Sequence, residues 1–395
     1  MKFKRAWSLL AAMTLGVGLL AGCAEGEKGE ASGSKGGDGD IKIGVNLELT
    51  GAVASYGTSE ADGIQLAVDE INDDGGIDGK KIKIVKIDNK SDAAEATNAA
   101  IKLTEQENVA AIIGAATSGA TVAQAQIAND NKTPIISPSG TSPTVTVNDK
   151  GEVNEYVFRT SFIDPFQGTV AANFAANDLG VKNVAIFSDN ASDYSKGLAS
   201  SFKKDFEKAG GKVVAEESYV AKDSDFRSTL TRIKSAKPEF IFIPGYYEEV
   251  GLIVKQAREM GIDVPLMGAD GWDSPILMDL AGADALNNTY TTNHYSADDP
   301  DGAVKAFNDK FKEKYGKSPD AFNALGYDTV YLLKDAIERA GSTDSTKIKD
   351  ALAETDGLDL VTGTYSVDEN HHPIKSATIL EYKDGEQVFN TKVNP

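Results

Sequence analysis

Ile41-Lys42-Ile43-Gly44-Val45-Asn46-Leu47 reads as a short β-strand, and Ala61 to Ile71 behind it as a helix with Ile64, Ala67, Val68 and Ile71 on one face. Gly75-Gly76 stops that helix. The unit then repeats. Lys81 to Ile87 is strand-like, Ala93 to Glu105 helical, Val109 to Ile113 strand-like, Ala120 to Ala128 helical and Pro134-Ile135-Ile136-Ser137 strand-like. A second run starts at Val184-Ala185-Ile186-Phe187, with helices over Ser195 to Ala209, Phe226 to Ser235 and Val250 to Met260. Strands at Val213 to Val220 and Phe240-Ile241-Phe242-Ile243 separate them. Alternating βα units predict an α/β fold with parallel sheets covered by helices on both faces, and two runs predict two doubly wound lobes. Asp298 to Ala340 reads as helical, and the tail from Thr362 returns to strand-like pieces. The roughly 355 residues from Ile41 onward exceed what one ordinary core supports, which again favours two lobes.

Upstream of Ile41 the chain changes character. Lys2, Lys4 and Arg5 precede a mostly apolar run from Ala6 to Leu20, then Ala21-Gly22-Cys23. That order is the grammar of a secretory signal, and it resembles the lipobox of bacterial lipoproteins, in which the cysteine is lipidated after cleavage. The expectation is a signal peptide over 1–22 and a lipid anchor on Cys23, hence an extracytoplasmic protein tied to the cell membrane. The apolar run is short for a membrane span of about 20 residues. Cys23 is the only cysteine, so no disulfide forms within the chain. Residues 24–40, AEGEKGEASGSKGGDGD, hold no large apolar side chain and read as a flexible tether. Such a tether reaches roughly 20–25 Å on average. The formal charge is −20, and removing 1–22 makes it more negative still. A strongly acidic chain excludes nucleic acid as a partner and argues against broad adhesion to anionic lipid.

In open α/β sheets ligands bind at the carboxyl ends of strands. After Ile112-Ile113 comes Gly114-Ala115-Ala116-Thr117-Ser118-Gly119, and after Ile135-Ile136 comes Ser137-Pro138-Ser139-Gly140-Thr141-Ser142. Hydroxyls and free N–H groups there suit a carboxylate, although Ser and Thr before helices also serve as plain caps. The second run places Asp189 and Tyr194, then Gly245-Tyr246-Tyr247, then Gly268-Ala269-Asp270-Gly271-Trp272 at equivalent positions. An acid among aromatic rings suits an ammonium. A small zwitterion between the lobes fits both sets.

Leu49-Thr50-Gly51 with Tyr56-Gly57, Asp69-Glu70-Ile71-Asn72 with Gly75-Gly76-Ile77, and Ile136-Ser137-Pro138 carry a resemblance. So do Phe158-Arg159-Thr160, Gly245-Tyr246-Tyr247 and Ala324-Leu325-Gly326-Tyr327-Asp328. In order and spacing the chain resembles, from Ile41 to its end, the hydrophobic (branched-chain) amino acid family of ABC-transporter solute-binding proteins with the type I periplasmic binding fold. The resemblance implies lobe 1 over 41–163 plus 296–374, on the carboxylate side. It implies lobe 2 over 164–295 plus 375–395, on the ammonium side. Ser118 and Thr141 then fall on hydroxyls for the ligand carboxylate and Ser139 on a main-chain contact. Asp270 falls on the acid for the ammonium, with a helix N-cap as its plain alternative. Tyr194 and Tyr246 fall on second-lobe tyrosines, and Tyr56 and Phe322 on the side-chain pocket. The implied partners are an α-amino acid, branched-chain above all, and a membrane permease with its ATPase.

Two residues stay open at this level. Glu48 follows the first strand; facing the cleft it would favour a polar or cationic ligand, and facing solvent it says nothing. Trp272 is either a pocket wall or a packing residue near the hinge. His371-His372 sits in a polar turn and reads as solvated. With no cysteine partner and no helical His-x-x-x-His, neither a metal nor a cofactor is expected. No Gly-x-x-x-x-Gly-Lys-Ser/Thr loop and no Gly-x-Ser-x-Gly elbow is present, so an enzyme is not expected. A ligand sensor for a signalling partner is the remaining alternative.

Overall fold

A computed structural model describes residues 39–394. The expected signal segment, Cys23 and almost all of the tether lie outside the described residues.

The first run builds a five-stranded, all-parallel sheet in the order β2-β1-β3-β4-β5. Its strands are β1 (Ile41–Leu47), β2 (Ile82–Asp88), β3 (Ala111–Ile113), β4 (Ile135–Ser137) and β5 (Val157–Arg159). Helices α1 (Ala54–Asp73), α2 (Ala93–Ile101), α3 (Ser118–Val122) and α4 (Ala125–Asn131) connect them. β3, β4 and β5 are buried throughout, which is why Ile112-Ile113 and Ile135-Ile136 read as apolar runs rather than alternating ones; β5, which ends in the buried Arg159, was not among the expected strands.

The chain then crosses to a second sheet. It comprises α5 (Asp164–Asn173), β6 (Asn183–Asp189), α6 (Asp193–Lys208), β7 (Lys212–Tyr219), α7 (Arg227–Ser235), β8 (Phe240–Phe242), α8 (Tyr247–Glu259), β9 (Leu266–Gly268), α9 (Pro275–Ala281), α10 (Ala283–Leu286) and β10 (Thr289–Asn293). A second crossing returns the chain to the first sheet's side, through α11 (Gly302–Tyr315), α12 (Ala321–Ala340) and α13 (Ser345–Ala353). A small antiparallel sheet follows, β11 (Leu358–Leu360), β12 (Gly363–Val367) and β13 (Pro373–Ile374). The third crossing, at Lys375–Ser376, leads to β14 (Ala377–Lys383) and β15 (Glu386–Val393). These complete a seven-stranded sheet, β15-β14-β10-β9-β8-β6-β7, with β14 antiparallel to β10 and β15 to β14.

Two departures from the sequence reading have local causes. The helix expected from Ala61 begins at Ala54, because Tyr56 is held by burial rather than by apolar periodicity. The single helix expected over Ala120 to Ala128 is two short ones, α3 and α4.

Helix α12 lies against α1 at backbone contact. A Cβ on Gly63 would come within 1.9 Å of the Asn323 carbonyl oxygen, and one on Gly326 within 2.4 Å of the Glu60 oxygen. Only glycine permits this approach. It brings Phe322, near the start of α12, onto Tyr56 of α1 in a stack with centroids 4.3 Å apart.

Candidate functional site

The carboxyl ends of β1, β3 and β4 face those of β6, β8 and β9 across a small pocket. Tyr56, Ser118, Ser139, Thr141, Tyr194, Tyr246, Asp270 and Phe322, the eight residues singled out from the sequence, all line it, joined by Ala116, Thr117 and Gly271.

At the first-sheet end, loop geometry decides which hydroxyls are available. Ser118 Oγ accepts the Ser142 N–H at 3.0 Å, so its own proton remains free. Thr141 Oγ1 is buried with no hydrogen-bond partner in the protein. Ser139 Oγ is already engaged, with the Ala116 carbonyl oxygen at 2.8 Å and with Glu60. The 140–146 loop that carries Thr141 is fixed by Arg159, whose Nη1 donates to the Gly140 and Ser142 oxygens at 2.9 and 2.8 Å and whose Nη2 donates to Thr146 Oγ1 at 3.0 Å. Arg159 is fully buried, and desolvation lowers its guanidinium to about 10, with Asp164 opposing the shift, so it stays charged at neutral pH.

At the second-sheet end, Asp270 Oδ1 accepts from Gln167 Nε2 and from the Tyr194 hydroxyl, each at 2.8 Å. Oδ2 lies 3.3 Å from His294 Nε2. An ionised Asp270 only accepts, which assigns the imidazole proton to Nε2. Burial holds the His294 imidazole below its ordinary range, against the pull of Asp270, so the ring is neutral at pH 7. It stacks on Phe162 at 3.7 Å. Gln167 Oε1 in turn accepts the Asp270 N–H at 2.8 Å and the Thr292 hydroxyl at 2.6 Å. Asp270 is therefore not a helix cap; Ser274 caps α9. Burial keeps the Tyr56, Tyr194 and Tyr246 phenols far above their ordinary range, so all three are neutral donors.

The wall between the two ends is aromatic. Tyr194 and Tyr246 stack at 5.1 Å, and Tyr56 meets Tyr246 edge-on at 5.7 Å. The Tyr56 hydroxyl donates to the Gly271 oxygen across the cavity. Ring faces beside a carboxylate favour a cation, and the remaining surface favours an apolar body.

Glu48 belongs to neither of its expected settings. It is fully buried, and its carboxylate accepts from Ala116 N, Thr117 N and Thr117 Oγ1 at 3.0, 3.1 and 2.8 Å. It pins the loop after β3 from behind instead of facing solvent or lining the cavity. Trp272 likewise is not a cavity wall. It is fully buried, donates to the Ile243 oxygen at 2.9 Å and packs flat against Gly268 in the core beneath β8 and β9. His371, expected in solvent, is buried and stacks on Phe158 at 4.1 Å, with Nδ1 at 2.9 Å from the Val157 oxygen.

Sequence reasoning missed Glu60, Arg159, Gln167 and His294 as site-building residues. The one available signal was position, since Arg159, Gln167 and His294 flank the points where the chain changes sheet.

A family model for periplasmic binding proteins matches residues 40–387. The leucine-, isoleucine-, valine-, threonine- and alanine-binding protein of Pseudomonas aeruginosa is 32% identical over 329 residues, 83% of this chain and 86% of that protein. The substrate-binding protein LivJ of a branched-chain amino acid transporter of Streptococcus pneumoniae, solved with isoleucine, matches with a TM-score of 0.85. Its identity is 42%, covering 90% of this chain and 100% of that one. An ABC-transporter solute-binding protein of R. palustris, solved with benzoate, matches with a TM-score of 0.81 and 26% identity over 90% and 97% of the two chains. The chain belongs to the periplasmic binding protein family and has the type I periplasmic binding fold, shared with binding proteins of branched-chain amino acid ABC transporters.

Proposed function

We propose that this protein is the extracytoplasmic substrate-binding component of an ABC importer, and that it binds a branched-chain α-amino acid between its two lobes. One observation carries the reading: free hydroxyls on Ser118 and Thr141 at one end of the pocket between the two sheets, and Asp270 among tyrosine rings at the other. A zwitterion with an apolar side chain satisfies both ends at once. Charge-assisted hydrogen bonds contribute about 1.5–3 kcal/mol each, and micromolar affinity requires about 8 kcal/mol net. A few such bonds plus apolar burial are sufficient. Glu48, the one feature that suggested a cationic ligand, is committed to backbone amides and no longer supports it.

In this reading the three crossings between the sheets form a hinge that closes on the ligand. They divide a carboxylate-binding lobe, 41–163 plus 296–374, from an ammonium-binding lobe, 164–295 plus 375–395. The closed form is then presented to a permease, and a lipid anchor on Cys23 keeps the protein beside it. Loss of membrane association in a Cys23→Ser variant with ligand affinity intact tests the anchor.

The benzoate-bound relative favours a second reading, an aromatic carboxylate, for which the tyrosine wall would serve. Such a ligand leaves Asp270 buried without a cation, which is costly. A thermal-shift panel of the twenty amino acids and benzoate separates the two. A ligand at a hundred times its dissociation constant adds about 2.7 kcal/mol, or roughly 5–10 °C at about 2–4 °C per kcal/mol. Leucine, isoleucine or valine should give that shift. A melt moved by benzoate and by no amino acid overturns the proposal.

A further inference from the structure

Ser139 Oγ lies between two acceptors, the Ala116 carbonyl oxygen at 2.8 Å and a carboxyl oxygen of Glu60. A hydroxyl has one proton to give. A carbonyl has none. Both contacts are full hydrogen bonds only if Ser139 donates to Ala116 and Glu60 donates to Ser139. With an ionised Glu60, the single Ser139 proton would serve one of the two contacts fully or be split weakly between them.

The surroundings point the same way. Glu60 is fully buried, its second oxygen has no partner, and among the described residues no lysine, arginine or histidine pairs with it. The other ionisable groups that reach it are both acids: Glu48 from the end of β1 and Asp320, which caps α12, accepts from Ser59 and is itself pushed up by burial to about 7. The 114–119 and 138–147 loops packed above it carry no ionisable side chain. Burial, reinforced by those two acids, raises the Glu60 carboxyl well above the usual carboxylate range.

We propose that Glu60 is a neutral carboxylic acid that donates its proton to Ser139 Oγ, a positioning residue for the carboxylate end of the site whose ionisation weakens ligand binding at alkaline pH. The second half rests on the amino acid reading above. With the proton in place, Ser139 stays turned onto the Ala116 carbonyl, the loops after β3 and β4 are tied together, and Ser118 and Thr141 remain the free hydroxyls. Removing the proton turns the Ser139 hydroxyl toward Glu60, strips Ala116 of its donor and puts a second negative charge behind the place a ligand carboxylate occupies.

The test uses Glu60→Gln, whose amide can still donate to Ser139 but cannot ionise. The infrared difference spectrum of ligand-free wild type minus Glu60→Gln at pH 7 should contain one carbonyl band of a protonated carboxyl group, sensitive to heavy water. Calorimetric titration with isoleucine from pH 6.5 to 9.5 should then show the ratio of wild-type to variant dissociation constants rising by up to tenfold per pH unit above the Glu60 pKa. Deprotonation of the ligand's own ammonium is common to both and cancels in the ratio. A purely structural role gives a constant ratio. If Glu60→Gln does not fold, Ser139→Ala removes the acceptor and should move the same infrared band to higher frequency. Absence of the band, or a constant ratio, overturns the proposal. The band present with no isoleucine binding at any pH supports the proton assignment and overturns the amino acid reading instead.

Discussion

Tyr247 reaches from the first turn of α8 to the segment that opens α1. Its hydroxyl donates to the Ala52 oxygen at 3.0 Å and accepts the Ser55 N–H at 3.3 Å. Neither bond involves the pocket, and in the proposed hinge closure both are made only in the closed form. In Tyr247→Phe the ring keeps its edge-on contact with Tyr56 at 5.1 Å and only the oxygen is lost. Two neutral hydrogen bonds contribute about 0.5–1.5 kcal/mol each, so the closed form loses about 1–3 kcal/mol relative to the open one. At about 1.4 kcal/mol per factor of ten, the apparent dissociation constant for isoleucine should rise roughly 5- to 150-fold. The increase should appear mainly in the off-rate. Stopped-flow tyrosine fluorescence gives both rate constants, and small-angle scattering with saturating isoleucine shows whether the same compact form is reached. A dissociation constant within twofold of wild type would refute the idea that these contacts act as a latch on closure.

Asp270→Asn removes the charge while leaving acceptors for Gln167 and Tyr194. Loss of one partner of a buried charge pair costs about 2–5 kcal/mol, so isoleucine affinity should fall at least 30-fold by calorimetry with an unchanged circular dichroism spectrum. Glu48→Gln turns an amide NH2 toward one of the N–H groups of Ala116 and Thr117. It should cost about 1–3 kcal/mol in urea unfolding, the penalty of one buried donor left unpaired. A variant as stable as wild type would show that the loop does not depend on Glu48.

The βα rhythm was legible because central parallel strands, buried on both faces, are written as unbroken Ile, Val and Phe runs such as Ile112-Ile113 and Phe240-Ile241-Phe242. The cavity-lining residues were legible because strand ends converge by topology, which brings Ser118 and Asp270 together although 152 positions separate them. What lies one layer behind was not. Glu48 and His294 are polar residues whose roles depend on which way a side chain turns, and no periodicity encodes that for a residue at a strand end or a crossing; Glu60 fell just outside the helix expected from Ala61, although α1 carries it one turn before Ile64 on the buried face. Trp272 was ambiguous for the same reason: its orientation is set by the bare surface of Gly268, a tertiary contact.

The seven-stranded sheet has a consequence in time. β10 pairs on one side with β9, just before it in the chain, and on the other with β14, about eighty residues later. At about 5–20 residues per second a ribosome needs roughly 4–16 s to cover that interval. Through it the nascent chain carries β10 as an open edge, with the backbone groups of Thr289–Asn293 unmatched on one side. The second sheet cannot close until the β14–β15 hairpin arrives, so until then the polypeptide stays incompletely folded and exposed to pairing with other strands.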